Sequence, residues 1–305
     1  MGAAIGAGAV WRAFTREMDM ARARVSEGSA VIQTSFGAME FALAGHGPPV
    51  VSIHGTGGGF DQGLAIGRRL AAAGRQVISP SRFGYLRSDN PTDPSPEHQA
   101  DAIAELLVHL RVEQASVIGV SAGALTALAF AIRHRTRCNA LVALVPASYA
   151  PGRAPAEISV MQRAIMEYGL KSDFLFWAGA QVAEDAMVRT LLATDPRLVA
   201  NAASSERARA RTILREILPV SERARGLLND AAQAGVAQPM PIQSIVAPTL
   251  AISLEDDLFG TADAARHIAA TVQDARLVIY PSGGHVWIGH DAEVFEEIDA
   301  FLPRE

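Results

Sequence analysis

The chain has 305 residues, of which 49% are hydrophobic and 19% charged, and carries a formal net charge of −5. That composition is globular; it excludes a disordered or low-complexity protein and leaves no electrostatic footprint for nucleic acid. The single cysteine, Cys138, excludes an intrachain disulfide framework and a cysteine-built zinc site.

The opening stretch MGAAIGAGAVW is small and apolar, without the positive segment of a secretory signal, and too short to span a bilayer. Trp11, Phe14, Met18, Ala21 and Val25 then recur at helical spacing with Arg and Glu between them. This predicts an amphipathic helix within residues 1–28. Its apolar face is expected to dock onto the body of the protein, or onto a neighbouring subunit of a homo-oligomer. Contact with a membrane surface is the lesser alternative. No transmembrane segment is expected anywhere, which points to a soluble, cytoplasmic protein.

SAVIQTSFGAMEFALAG reads as an edge hairpin turning at Gly37, and PPVVSIHGTGGGF as a buried strand that ends at His54 and runs into a glycine-rich loop. A helix over 62–73 and a strand over 76–79 follow, then the irregular loop SRFGYLRSDNPTDPSP. Ser95, Pro96 and Glu97 supply an N-cap, a first-turn proline and an early acid for a helix reaching Leu110. Ala115–Val120 is the next strand, leading into an alanine- and leucine-rich helix, and CNALVALV, holding a buried Cys138, the one after. From Pro146 to Gln243 only helical segments occur. APTLAISL resumes a strand, with helix 261–270, strand ARLVIYP and helix 291–302 completing the chain. Strands alternating with helices predict an α/β fold with a mostly parallel sheet covered on both faces. The expected division is a core of residues 29–145 and 244–305, interrupted by a helical cap over 146–243 that sits across the C-terminal ends of the strands.

At the strand-to-helix junction stands Gly119-Val120-Ser121-Ala122-Gly123. A serine between glycines at such a turn is the G-x-S-x-G elbow, which thrusts the hydroxyl outward at a helix N-terminus that favours developing negative charge. Upstream, His54-Gly55-Thr56-Gly57-Gly58-Gly59 follows a strand where a backbone could approach a substrate oxygen. It has no lysine for a phosphate loop, and its glycines do not fit G-x-G-x-x-G. Downstream, acids follow one strand in ISLEDDLFG and His285 follows the last in YPSGGHVW. A serine hydroxyl needs a base to take its proton, and the imidazole needs a carboxylate to fix its tautomer. Serine, acid and histidine at strand ends, in that order, supply that chemistry. His46, His98, His109, His134 and His267 read as solvated, and His290 as a helix cap. No metal or cofactor motif is present, so none is expected.

These motifs are similar to those of the α/β-hydrolases, in particular the esterase, haloperoxidase and C–C hydrolase group, over about Ser29 to Leu302. HGTGGG, GVSAG, the acid after LAISL and GGH carry the resemblance. SRFGYLRSD resembles that group's DRPGYGRSD loop, departing at Ser81 and Leu86. The resemblance implies a serine hydrolase with Ser121 as nucleophile and His285 as base. The family's G-x-x-D pattern, matched by Ser253-Leu254-Glu255-Asp256 apart from Ser for Gly, selects Asp256 over Asp257 as the acid. It also implies oxyanion donors at Thr56 and Ala122, on a loop that includes Gly55 and Gly57. Phe176 and Trp177 in the helical block are core candidates that could equally line an acyl pocket. The substrate is expected to be a small carboxylic ester; the alternatives are C–C bond hydrolysis, lactone opening or perhydrolysis at the same residues, or a non-catalytic ligand receptor on this fold.

Overall fold

The computed structural model describes residues 2–152, 168–234 and 237–304, with side chains from Gly8 onward. The strands are β1 (Ala30–Thr34), β2 (Gly37–Ala44), β3 (Pro49–Ile53), β4 (Gln76–Pro80), β5 (Ala115–Val120), β6 (Cys138–Leu144), β7 (Thr249–Leu254) and β8 (Ala275–Tyr280). They form one eight-stranded sheet in the order β1-β2-β4-β3-β5-β6-β7-β8. β1 and β2 are the antiparallel hairpin, β2 pairs antiparallel with β4, and β3 through β8 run parallel.

The apolar runs exist because both faces of the sheet are covered. In β5, Val117 points into a core built with α3 (Pro96–His109), α4 (Gly123–Arg133) and α10 (Thr261–Thr271). Its neighbours Ile118 and Val120 point the other way, toward α2 (Phe60–Ala72) and α11 (Asp291–Phe301). Alternate residues feed opposite cores, so every position of β5 is buried. Ser95 caps α3 as expected, accepting from the N–H of His98.

Between β6 and β7 the described residues hold only helices: α5 (Asp173–Val182), α6 (Glu184–Leu191), α7 (Pro196–Asn201), α8 (Ser204–Arg215) and α9 (Ala224–Ala234), with short 3₁₀ turns. They share a core of their own, in which Phe176, Trp177, Leu214 and Ile217 meet Met18 and Ala21 of α1 (Gly2–Ser26). The inner face of α1 therefore docks on the body of its own chain. Phe14 packs with ring centroids 5.2 Å from Phe174 and 5.6 Å from Trp177. Val286 and Ile288 belong to the same core, so the helical block lies over the loop that follows β8. None of the described helices is long and apolar enough to cross a membrane.

Candidate active site

β5 ends at Val120 and α4 begins at Gly123, and the turn between them forces Ser121 to a φ of 53°. Both flanking glycines are steric necessities. A Cβ on Gly119 would lie 2.5 Å from Ala127 Cβ, and one on Gly123 would lie 2.4 Å from the carbonyl oxygen of His54. The elbow is held by its own backbone: Ser121 N–H donates to Leu144 O at 2.9 Å, and Ser121 O accepts from Ala124 N–H at 3.0 Å.

His285 stands in line with the serine. Its Nε2 is 2.8 Å from Ser121 Oγ, and its Nδ1 is 2.8 Å from Oδ2 of Asp257. The expectation of Asp256 is thereby corrected: the carboxylate on the imidazole belongs to Asp257. The physical reason lies in the turn after β7. Glu255 still extends the sheet by donating to Tyr280 O, and the Asp257 N–H turns back onto Leu254 O. That turn buries Asp257 and leaves Asp256 half-buried to the side, where it accepts the N–H groups of Gly283 at 3.2 Å and Gly284 at 2.8 Å. Asp256 thus secures the histidine loop without touching the histidine. Asp257 also accepts from Phe259 N–H at 2.8 Å and from the hydroxyl of Thr261. Burial alone would raise its pKa, but the charge of His285 and these hydrogen bonds prevail, so the carboxyl sits below its ordinary value. The ring of Phe259 meets His285 edge-on, centroids 5.0 Å apart.

The glycine loop abuts the serine: a Cβ on Gly55 would lie 3.2 Å from Ser121 Cβ. Gly55 N–H donates to Gln62 Oε1 at 2.9 Å, Gly57 N–H to Tyr85 OH at 3.2 Å, and Gly58 N–H to Gly55 O at 3.3 Å. Over the described residues 55–58, Thr56 N–H alone has no acceptor. Ala122 is the N-cap residue of α4, at the helix end where N–H groups have no intrahelical partner. Of the candidate donors, Ala122 adjoins Ser121 in the chain and Thr56 follows Gly55, which abuts the serine.

Ile217 of the helical block covers this loop, 3.2 Å from where a Cβ on Gly57 would stand. Sequence reasoning missed it because an isoleucine after an amphipathic helix carries no local signal. Phe176 and Trp177 lie in the core shared by the block and α1, and Trp177 is committed to Phe14 and Phe174.

His54 and Arg82 lie behind the loop. His54 is fully buried; its Nε2 accepts from Arg82 N–H at 2.9 Å, which leaves Nδ1–H to donate to Gly55 O at 2.7 Å. Burial first, and then the Arg82 charge, hold this imidazole well below its ordinary pKa. An unfolded histidine titrates near about 6.5, so below that pH the unfolded chain binds the proton that the folded one refuses. The His54 contribution to stability is therefore complete above that value and is lost as pH falls, by up to about 1.4 kcal/mol per pH unit. Depressed carboxylates such as Asp257 act only below their unfolded value of about 4. We expect the thermal midpoint to fall between pH 7.5 and 5 more steeply in the wild type than in His54→Asn. Equal slopes would remove His54 from the account.

Among the described residues no group of three or more His, Cys, Asp or Glu could hold a metal ion. The sequence profile of the α/β-hydrolase fold matches residues 48–289, and the chain belongs to that family. It is 26% identical over 270 residues to the uncharacterized hydrolase YcgS of Bacillus subtilis, 84% of this chain and 91% of that protein. It is 27% identical over 291 residues to the 2-hydroxy-6-oxononadienedioate/2-hydroxy-6-oxononatrienedioate hydrolase of Paraburkholderia xenovorans, 90% and 92% of the two chains. Among solved structures, an α/β-hydrolase fold protein from Nakamurella multipartita superposes with a TM-score of 0.71 at 24% identity, covering 90% of this chain and 98% of that one. Family and relatives together make the protein a hydrolase.

Proposed function

We propose that the protein hydrolyses carboxylic esters by acyl transfer to Ser121. The observation that carries this is the unbroken hydrogen-bonded line from Ser121 Oγ through His285 to Asp257, each link 2.8 Å long. His285 Nε2 takes the serine proton as Oγ attacks the ester carbonyl, and the negative charge on that oxygen falls to Thr56 and Ala122 N–H. The imidazolium, held by Asp257, returns the proton to the departing alcohol. Water, deprotonated by the same nitrogen, then attacks the acyl-enzyme and releases the acid. The helical block described over residues 168–234 acts as the cap, with Ile217 as its contact above the oxyanion loop.

The Paraburkholderia relative favours a second reading, C–C bond hydrolysis. A dienedioate is dianionic and needs unpaired cations to hold it. Among the described residues the guanidiniums bonded to the glycine loop and the histidine loop each hold a carboxylate: Arg82 that of Asp230, Arg209 that of Glu206, and Arg223 that of Asp61, which it shares with Arg24. That pairing supports a neutral acyl substrate. We expect measurable turnover of short or medium p-nitrophenyl esters and weaker or no turnover of a vinylogous diketone. The reverse order of kcat/KM on one preparation would make C–C hydrolysis the better reading.

A further inference from the structure

The helical block also reaches the glycine loop from behind. Asp230 of α9 is buried, as are Arg82 and Tyr85 in the loop after β4. Both oxygens of Asp230 receive the Arg82 guanidinium, at 2.6 Å from Nη1 and 2.7 Å from Nη2, and Oδ2 also accepts the Tyr85 hydroxyl at 2.5 Å. The tyrosine's one proton goes to Asp230, which leaves its oxygen to accept Gly57 N–H at 3.2 Å. Arg82 in turn donates through Nε to His54 O at 3.0 Å and through Nη2 to Gly55 O at 3.1 Å.

Two peptide planes flank Thr56, and each is held on this rear side. In a trans peptide the C=O and N–H point in opposite directions. Gly55 O is held by Arg82 Nη2 and by His54 Nδ1, so the N–H of the same plane, that of Thr56, is turned the other way. The following plane is held through Gly57 N–H on Tyr85. Gly57 has a φ of +78°, a conformation with little steric restraint of its own at glycine. Both restraints converge on one carboxylate contributed by the helical block.

We infer that Asp230 is a positioning residue for the oxyanion hole, acting through Tyr85 and Arg82 on the peptide planes either side of Thr56. This rests on the proposed role of Thr56 and Ser121. An oxyanion donor acts only when its direction is set before charge develops, so loosening the planes should weaken transition-state binding more than substrate binding.

The test compares wild type, Asp230→Asn and Tyr85→Phe by p-nitrophenyl ester kinetics, by the rate of fluorophosphonate labelling, and by affinity for a trifluoromethyl ketone, all per titrated active site. Asp230→Asn strips Arg82 of its counter-charge and could fail to fold; Tyr85→Phe removes only a hydroxyl and carries the test alone if so. We expect kcat, labelling rate and ketone affinity to fall together by on the order of ten- to a hundredfold, with KM moving less than about threefold. A merely structural role would lower the midpoint of unfolding and the titratable fraction, but not these constants per site. Wild-type kcat and ketone affinity in Tyr85→Phe would overturn the inference. A wild type that labels at Ser121 but turns over no ester would sink only the ester reading, since labelling and ketone binding still judge Asp230. A wild type that does not label would overturn both.

Discussion

Replacing Ser121 with alanine is expected to lower ester turnover by on the order of a million-fold and to abolish fluorophosphonate labelling. The hydroxyl is the group that His285 Nε2 addresses, at 2.8 Å, and nothing else in the elbow can form the acyl bond. The substitution leaves the backbone as it was. Alanine bears the same Cβ as serine, and the strained φ of 53° is imposed by the strand–helix junction and its hydrogen bonds. The unfolding midpoint should therefore stay close to that of the wild type, which separates lost chemistry from lost fold. Retention of even a tenth of the turnover would place the nucleophile elsewhere.

Asp257→Asn is expected to cost on the order of ten-thousand-fold in kcat. Asp257 Oδ2 accepts the Nδ1 proton of His285, which leaves Nε2 bare to receive the serine proton. An amide could turn its NH₂ to that nitrogen and stabilise the wrong tautomer. It would also remove the negative charge that supports the imidazolium. Asp256→Asn should be far milder, within roughly tenfold, because the amide oxygen can still accept the closer Gly284 N–H and only the longer bond from Gly283 N–H, made to the other carboxylate oxygen, is lost. Measuring kcat/KM of both variants on one p-nitrophenyl ester decides the matter. The opposite ranking would return the acid to Asp256.

The choice between those two neighbours shows where local reasoning stopped. A spacing pattern selected Asp256, yet the outcome depends on how far β7 extends before it turns. That extension is set by Glu255 pairing with Tyr280 on β8, a partner well downstream in the chain. Trp177 is a similar case. Its apolar neighbours mark it as buried, but which surface buries it depends on α1 docking on the helical block.

What the amino-acid order determined by itself was everything that rests on short-range sterics and periodicity. The two-faced apolar strands, the cap of α3 at Ser95 and the elbow glycines around Ser121 all follow from neighbours a few residues apart. They were sufficient for the α/β-hydrolase fold and for setting Ser121, His285 and the loop carrying Thr56 after strand ends. Tertiary structure alone decided the contacts between groups far apart in the chain: Asp257 on His285, Ile217 over Gly57, and Asp230 on Arg82 and Tyr85. Buried charges and isolated apolar side chains have no periodic signature, since each owes its place to one distant partner that satisfies it. An aspartate on an otherwise amphipathic helix reads as solvated until the fold sets a buried arginine and a tyrosine hydroxyl against it.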